Sequence, residues 1–272
     1  MTVIQNRINH RIPVTDFMST LQSVQINPTE MCNRTCSFCP RVDPAIYKNR
    51  KEFISTELCK IIGQQLSEFQ FKGRVGFVGF GEPLLHDNLP ECVSSIRTEC
   101  PTVSWLEVNT NGDFLTRDIA TKLFDNGLTH LTISMYDSDE TERFNEMLKC
   151  IPLTVTLRHS YNTSNIQLVD RIGIVKQVSK NINRQCYIPF YKLFIDYNGD
   201  YLLCDQDWGR KSVKSNIHTT TIRDFWTNQL VEERVNLIQA NRQKNNPCDK
   251  CDVNGTLIGK ESFDYIRQTM SI

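Results

Sequence analysis

The sequence predicts an α/β protein, a partial (β/α)6 barrel followed by a small α+β module. From residue 23 to about 160, short apolar runs alternate with amphipathic segments, the pattern of parallel strands joined by helices. After Cys186 the texture changes to two apolar strands flanking Asn198-Gly199, the strongest short-range hairpin signal. A chain of 272 residues also sits where one core stops growing and a second module is expected. Residues 1–22 are therefore read as an N-terminal extension, 23–180 as the barrel and 181–272 as the module.

The elements follow in order. "SVQIN" is a first strand leading into a cysteine-rich loop. "STELCKIIGQQLSEF" is a helix, with Ser55 or Thr56 as N-cap and Leu58, Ile61, Ile62 and Leu66 at helical spacing. "RVGFVGF" is a strand that runs straight into Gly81-Glu82-Pro83. "NLPECVSSIRTEC" and "RDIATKLFDNG" are helices on either side of the strand "SWLEVNTNG". "HLTISMYD", "DETERFNEMLKC" and "LTVTLRHS" continue as strand, helix and strand, and "IQLVDRIGIVKQVS" suits either type in a sixth unit. In the module, "TIRDFWTNQLVEERVNLIQANR" reads as one long amphipathic helix before "NNPCDKCD".

Lys plus Arg equals Asp plus Glu at 31 each, so no global field favours nucleic acid or acidic lipid. No apolar run approaches the roughly 18 residues that span a bilayer, and the N-terminus lacks the apolar centre of a secretory signal. The expectation is a cytoplasmic protein with a small or locally recognised partner. In a reducing compartment, 11 cysteines argue for metal or catalytic use rather than disulfides. Cys59, Cys92, Cys100 and Cys150 are dispersed at helix positions or ends and are read as small buried hydrophobes.

The other seven form two groups. Cys32, Cys36 and Cys39 make C-x3-C-x2-C at the end of the first strand, the side of a βα barrel where catalytic loops gather. Three thiolates suit an open zinc site, or an iron–sulfur cube that leaves one iron without a protein ligand. Cys186, Cys204, Cys248 and Cys251 offer four thiolates from separated segments, which suits a structural zinc ribbon or a fully ligated cluster.

The first cysteine group, with Phe38 just before its last member, resembles the signature of the radical S-adenosylmethionine (radical SAM) superfamily. The resemblance implies a [4Fe–4S] cluster on Cys32, Cys36 and Cys39 whose open iron binds SAM and cleaves it to a 5′-deoxyadenosyl radical. Gly81, Glu82 and Pro83 resemble the family motif at the SAM amino group. Asn109, Thr110, Asn111 and Gly112, then Ser134, resemble segments lining the SAM site, and Arg158 is a candidate for a carboxylate. Beside such a core, the four late cysteines resemble the short "twitch" form of the SPASM module, which implies an auxiliary [4Fe–4S] cluster suited to electron transfer.

Over nearly its whole length the chain resembles the radical SAM alcohol dehydrogenases of aminoglycoside biosynthesis that carry one auxiliary cluster. That resemblance implies oxidation of an aminocyclitol or sugar-like alcohol to a ketone, with a flavodoxin- or ferredoxin-like donor. Arg171 falls where such an enzyme contacts substrate and is a candidate to hold a developing oxyanion. His159 is a candidate for proton transfer. After Cys204 the chain reads Asp205-Gln206-Asp207-Trp208, which departs from those dehydrogenases and looks like a pattern found with many SPASM substrates. Two alternatives therefore stand beside the dehydrogenase: epimerisation or crosslinking of a peptide, and a zinc-stabilised binding module without catalysis.

Overall fold

The computed structural model describes residues 5, 7, 8, 10–45, 47–137, 139–159, 184–240 and 242–271. Parallel strands β1 (Ser23–Ile26), β2 (Arg74–Phe77), β3 (Trp105–Thr110), β4 (His130–Met135) and β5 (Thr154–His159) alternate with helices α1 (Thr56–Ser67), α2 (Leu89–Glu99), α3 (Arg117–Asp125) and α4 (Glu140–Leu148). Next come β6 (Lys192–Ile195), β7 (Asp200–Leu202) and β8 (Ser215–Asn216), then α5 (Val231–Ala240) and α6 (Lys260–Thr269). One eight-stranded sheet has the order β5-β4-β3-β2-β1-β6-β7-β8. β6, which follows Cys186, lies parallel to β1 and is the sixth parallel strand among the described residues, and β7 and β8 extend the sheet antiparallel. The segment expected to hold a sixth unit, "IQLVDRIGIVKQVS", lies outside the described residues.

The caps follow from residue chemistry. Ser55 Oγ accepts from the Leu58 N–H at 3.0 Å and starts α1, and Thr116 Oγ1 accepts from the Ile119 N–H at 3.2 Å and starts α3. Across β1 to β4, the paired positions Val24, Val75 and Leu106, and Ile26, Phe77, Val108 and Leu131, join the helices in the main apolar core. Each such burial is worth roughly 1.5–3 kcal/mol. Cys59, Cys92 and Cys100 belong to that core, whereas Cys150 is exposed at a positive φ after α4.

The row between these apolar rows is polar: Gln25, Gly76, Glu107 and His130. A buried charge persists only when paired and hydrogen-bonded. Arg74 and Glu107 meet at 2.5 Å, Thr132 Oγ1 donates to Glu107 at 2.6 Å, and Arg74 also reaches Ser23 Oγ at 3.1 Å.

The long helix expected over residues 221–242 is broken. It runs as a short turn Ile222–Asp224, a π turn Phe225–Gln229 and α5. Arg234 is fully buried, lies 4.2 Å over the Trp226 ring, and donates to the carbonyls of Trp226 and, at 3.2 Å, Pro189. The Trp226 carbonyl thereby has a side-chain partner, and the widened turn accommodates it.

Burial by itself raises a carboxyl, but Arg74, then Arg7, and hydrogen bonds from Thr132 and Arg74 outweigh it and hold Glu107 at about 2, below its ordinary 4.5. The lowered value means that the ionised form favours the folded state. The contribution is fully present above about pH 4.5 and is lost as pH falls towards 2. Denaturant unfolding of Glu107→Gln at pH 7 is expected to show a loss of about 3–5 kcal/mol, and its stability should fall less steeply than wild type between those pH values. Parallel wild-type and variant curves would refute this.

Candidate functional site

Cys32, Cys36 and Cys39 lie in the loop that leaves the C-terminal end of β1, each half-buried. The Cys39 N–H donates to the Cys36 carbonyl at 2.9 Å, and Pro40–Val42 continues as a short 3-10 turn. Buried Arg41 anchors the loop: it donates to the Phe80 carbonyl and to Asn49 Oδ1, each at 2.7 Å, and to the Glu30 carbonyl. Asn49 in turn accepts from the Cys32 N–H at 2.9 Å. Burial raises the Cys32 thiol, opposed by the Arg34 N–H and the Arg41 charge.

The end of β2 meets this loop backbone to backbone. A Cβ on Gly81 would stand 2.2 Å from the Thr29 carbonyl oxygen and 2.5 Å from that of Met31, so only glycine admits the approach. The next residue, Glu82, accepts from Thr110 Oγ1 at 2.5 Å, the Asn111 N–H at 2.8 Å and the Leu84 N–H at 3.0 Å. Burial pushes Glu82 up to about 7 against those three donors. Pro83 opens the 3-10 turn Pro83–Leu85.

Arg34 and Asn33, between the first two cysteines, reach the end of β3. Arg34 Nε donates to Asp113 at 2.7 Å, Asn33 Nδ2 donates to the same carboxylate, and Asn111 Nδ2 donates to Asn33 Oδ1 at 2.8 Å. Hydrogen bonds from Arg34 hold Asp113 below the usual carboxylate range. The Arg34 guanidinium lies 4.3 Å over the Tyr136 ring, and Phe38 is nearly parallel to Tyr136. On β4 and β5, Ser134 Oγ accepts from Arg158 at 2.6 Å.

These groups line one cavity of about 290 Å³. It brings Cys32, Cys36, Cys39 and Phe38 together with Gly81 and Glu82, and with Asn109, Asn111, Ser134 and Arg158. Asp205, Gln206 and Trp208 face them from the segment after Cys204. Pro83 stands outside the lining. His159 ends β5, but its side chain, like all of Arg171, lies outside what is described. Arg7, Gln25, Arg34 and Tyr136 also line the cavity and were missed from sequence. A polar Gln25 within the apolar run "SVQI" was a usable signal; nothing local marked Arg7.

Cys186, Cys204, Cys248 and Cys251 form the second thiol group, none of them in a disulfide. Burial raises Cys204, and Asp205, Cys186 and Cys251 raise it further. Cys248 is likewise raised by burial, then by Cys186 and Cys251. Arg242 draws the closing loop over them, donating to the carbonyls of Cys251 at 3.0 Å and Val253 at 2.6 Å. Gly255 passes so close that a Cβ there would meet Cys186 Sγ at 2.7 Å. Among the described residues, no group of three or more His, Cys, Asp or Glu is arranged to hold a single metal ion. Four crowded thiols are a donor set that would suit an iron–sulfur cluster, where each thiolate would bind its own iron.

Comparison with known proteins agrees with this geometry. A model of the radical SAM superfamily matches residues 26–158, and one of the SPASM iron–sulfur cluster-binding domain matches 186–252. S-adenosyl-L-methionine-dependent 2-deoxy-scyllo-inosamine dehydrogenase of Niallia circulans is 28% identical, over 92% of this chain and 99% of its own. A GTP 3′,8-cyclase of Acaryochloris marina is 24% identical over 88% of this chain and 72% of its own. The crystal structure of BtrN in complex with AdoMet and 2-DOIA superposes with TM-score 0.75 at 26% identity, covering 89% of this chain and 96% of that one. AnSMEcpe with bound AdoMet, at TM-score 0.58 and 14% identity over 92% and 98% of the two chains, shares the fold. Among the described residues no helix is long and apolar enough to cross a membrane.

Gly81→Ala is expected to push the cysteine loop outward, at a cost of about 1–3 kcal/mol in denaturant unfolding, and to speed alkylation of Cys32, Cys36 and Cys39. Unchanged stability and alkylation rates would show that the close approach of the two backbones is not needed.

Proposed function

Because the chain belongs to the radical SAM superfamily and carries a SPASM module, we propose that it oxidises an alcohol carbon of a small aminocyclitol- or sugar-like molecule. Radical SAM and SPASM domains bind iron–sulfur clusters and SAM, and the enzyme is a radical SAM oxidoreductase. In this reading Cys32, Cys36 and Cys39 hold the SAM-binding [4Fe–4S] cluster, and Cys186, Cys204, Cys248 and Cys251 hold the auxiliary one. When bound, SAM and the clusters supply a 5′-deoxyadenosyl radical that takes hydrogen from the carbinol carbon, and an acceptor for the electron left after proton loss.

One observation carries the proposal. The cavity joins the three-cysteine loop to polar side chains at the C-terminal ends of the strands, and its lining continues with Asp205, Gln206 and Trp208, which follow Cys204 of the second thiol group. Substrate held there would be in reach of segments that carry both thiol groups.

The chain's own residues bind and position. Gly81 lets backbone approach the amino end of SAM; Asn109, Asn111 and Ser134 offer polar contacts; Arg158, oriented by Ser134, pairs with a carboxylate. Glu82 holds the Thr110–Asn111 backbone in place. Phe38, stacked on Tyr136, closes one side against water. Proton transfer falls to His159 and oxyanion stabilisation to Arg171. Functionally, 1–22 is an extension, 23–180 the SAM half and 181–272 the auxiliary half, and a flavodoxin- or ferredoxin-like donor serves the enzyme in the reducing cytoplasm.

Anaerobically reconstituted wild type given SAM and a strong reductant is expected to form 5′-deoxyadenosine, and Cys32→Ala, Cys36→Ala, Cys39→Ala to form none. With substrate, the product should be about two mass units lighter, as loss of two hydrogens requires. Iron- and sulfide-loaded wild type that forms no 5′-deoxyadenosine would refute the proposal, and a turned-over peptide of unchanged mass would favour epimerisation. Cys248→Ala, Cys251→Ala is expected to lose about half the iron and all of the two-unit mass change.

A further inference from the structure

Among the described residues, two buried polar atoms on side chains that line the cavity have no hydrogen-bond partner. Gln25 is 3% exposed, and its Oε1 is buried without a hydrogen-bond partner; Arg7 Nε is buried in the same state. Both side chains line the cavity. Gln25 stands in register with Gly76 and Glu107, and Arg7 feels the charges of Glu107 and Asp205, so the two belong to one polar layer of the barrel interior. Burial, then Arg74, lowers Arg7 to about 10, which leaves it cationic at neutral pH. Buried polar atoms left unpaired are costly, and where the side chains that carry them line a cavity, a ligand that reaches them supplies the missing partners.

The acids of the lining are in the opposite condition. Glu82 already receives Thr110, Asn111 and Leu84. Asp205 pairs with Lys192 at 2.8 Å and accepts from Gln206 Nε2 at 3.2 Å. An ammonium entering this layer finds Asp205 already paired with Lys192, Glu82 already holding three hydrogen-bond donors, and a guanidinium beside them.

We propose that Arg7 and Gln25 determine substrate specificity, selecting a polyol that presents a hydroxyl to Gln25 Oε1 and an oxygen acceptor, preferably anionic, to Arg7, over an amine. This rests on the alcohol-oxidising reading and narrows it to neutral or acidic polyols, away from the inosamine named for the Niallia circulans relative. It also gives the N-terminal extension a role, because Arg7 contributes one wall group from outside the barrel strands.

The test uses the full chain with both clusters reconstituted and SAM bound, unreduced, titrated calorimetrically with D-glucuronate, scyllo-inositol and 2-deoxy-scyllo-inosamine. Glucuronate and scyllo-inositol are expected to bind roughly tenfold or more tightly than the inosamine. Arg7→Gln should weaken glucuronate roughly tenfold or more while changing scyllo-inositol less. The near-isosteric Gln25→Glu should reverse the order of glucuronate and inosamine. The proposal is overturned if the inosamine binds as tightly as the others, if none of the three binds wild type, or if neither variant alters the order. Adding reductant separates the two readings. 5′-Deoxyadenosine without the binding preference sinks this specificity assignment alone, and the preference without 5′-deoxyadenosine sinks the radical reading alone.

Discussion

Arg41 ties the cysteine loop to two strands at once. Its guanidinium reaches the Glu30 carbonyl beyond β1, the Phe80 carbonyl beyond β2 and Asn49 across the loop, with the Tyr47 ring 4.5 Å from its centre. A planar fork of fixed donors can satisfy acceptors from three segments together, which an ammonium on a flexible stem cannot. The loop takes its geometry from this buried cation, from the Gly81 contact behind it and from the Arg34 and Asn33 bonds to Asp113.

The same logic joins the late part of the chain to the early part. Asp196, fully buried at the end of β6, accepts from Asn27 at 2.7 Å and pairs with Arg210 at 2.5 Å, and Arg210 also pairs with Glu30. Around them Trp208 packs 4.7 Å from Phe80 and 5.1 Å from Tyr47. The wall that follows Cys204 is therefore held against the three-cysteine loop by paired charges and stacked rings, and both halves of the chain shape one cavity. The parallel pairing of β1 with β6 joins the two parts of the chain in one sheet.

Much of this was legible in the residues. Alternation, caps and the Asn198-Gly199 turn report local preference, and β1 to β5 and α1 to α4 form where those preferences point. The cysteine spacing and the glycine before Glu82 were legible for another reason: the chemistry needs those residue types close together in sequence. Reading failed where distant contacts outweigh local pattern. The periodicity over residues 221–242 is helical throughout, yet buried Arg234 claims the Trp226 carbonyl and a π turn results. Cys150 looked like its buried counterparts but is exposed.

The sequence by itself determined the class of protein, the two sets of thiols and most of the polar residues at the strand ends, because each is carried by a short contiguous motif. Tertiary structure alone decided that β6 lies parallel beside β1, that Asp205, Gln206 and Trp208 share one cavity lining with the first cysteines, and that Arg7 Nε and Gln25 Oε1 find no hydrogen-bond partner among the described residues. Those facts depend on strand order and on which buried atoms find partners. Both are set by packing between residues far apart along the chain, where local propensity carries no information.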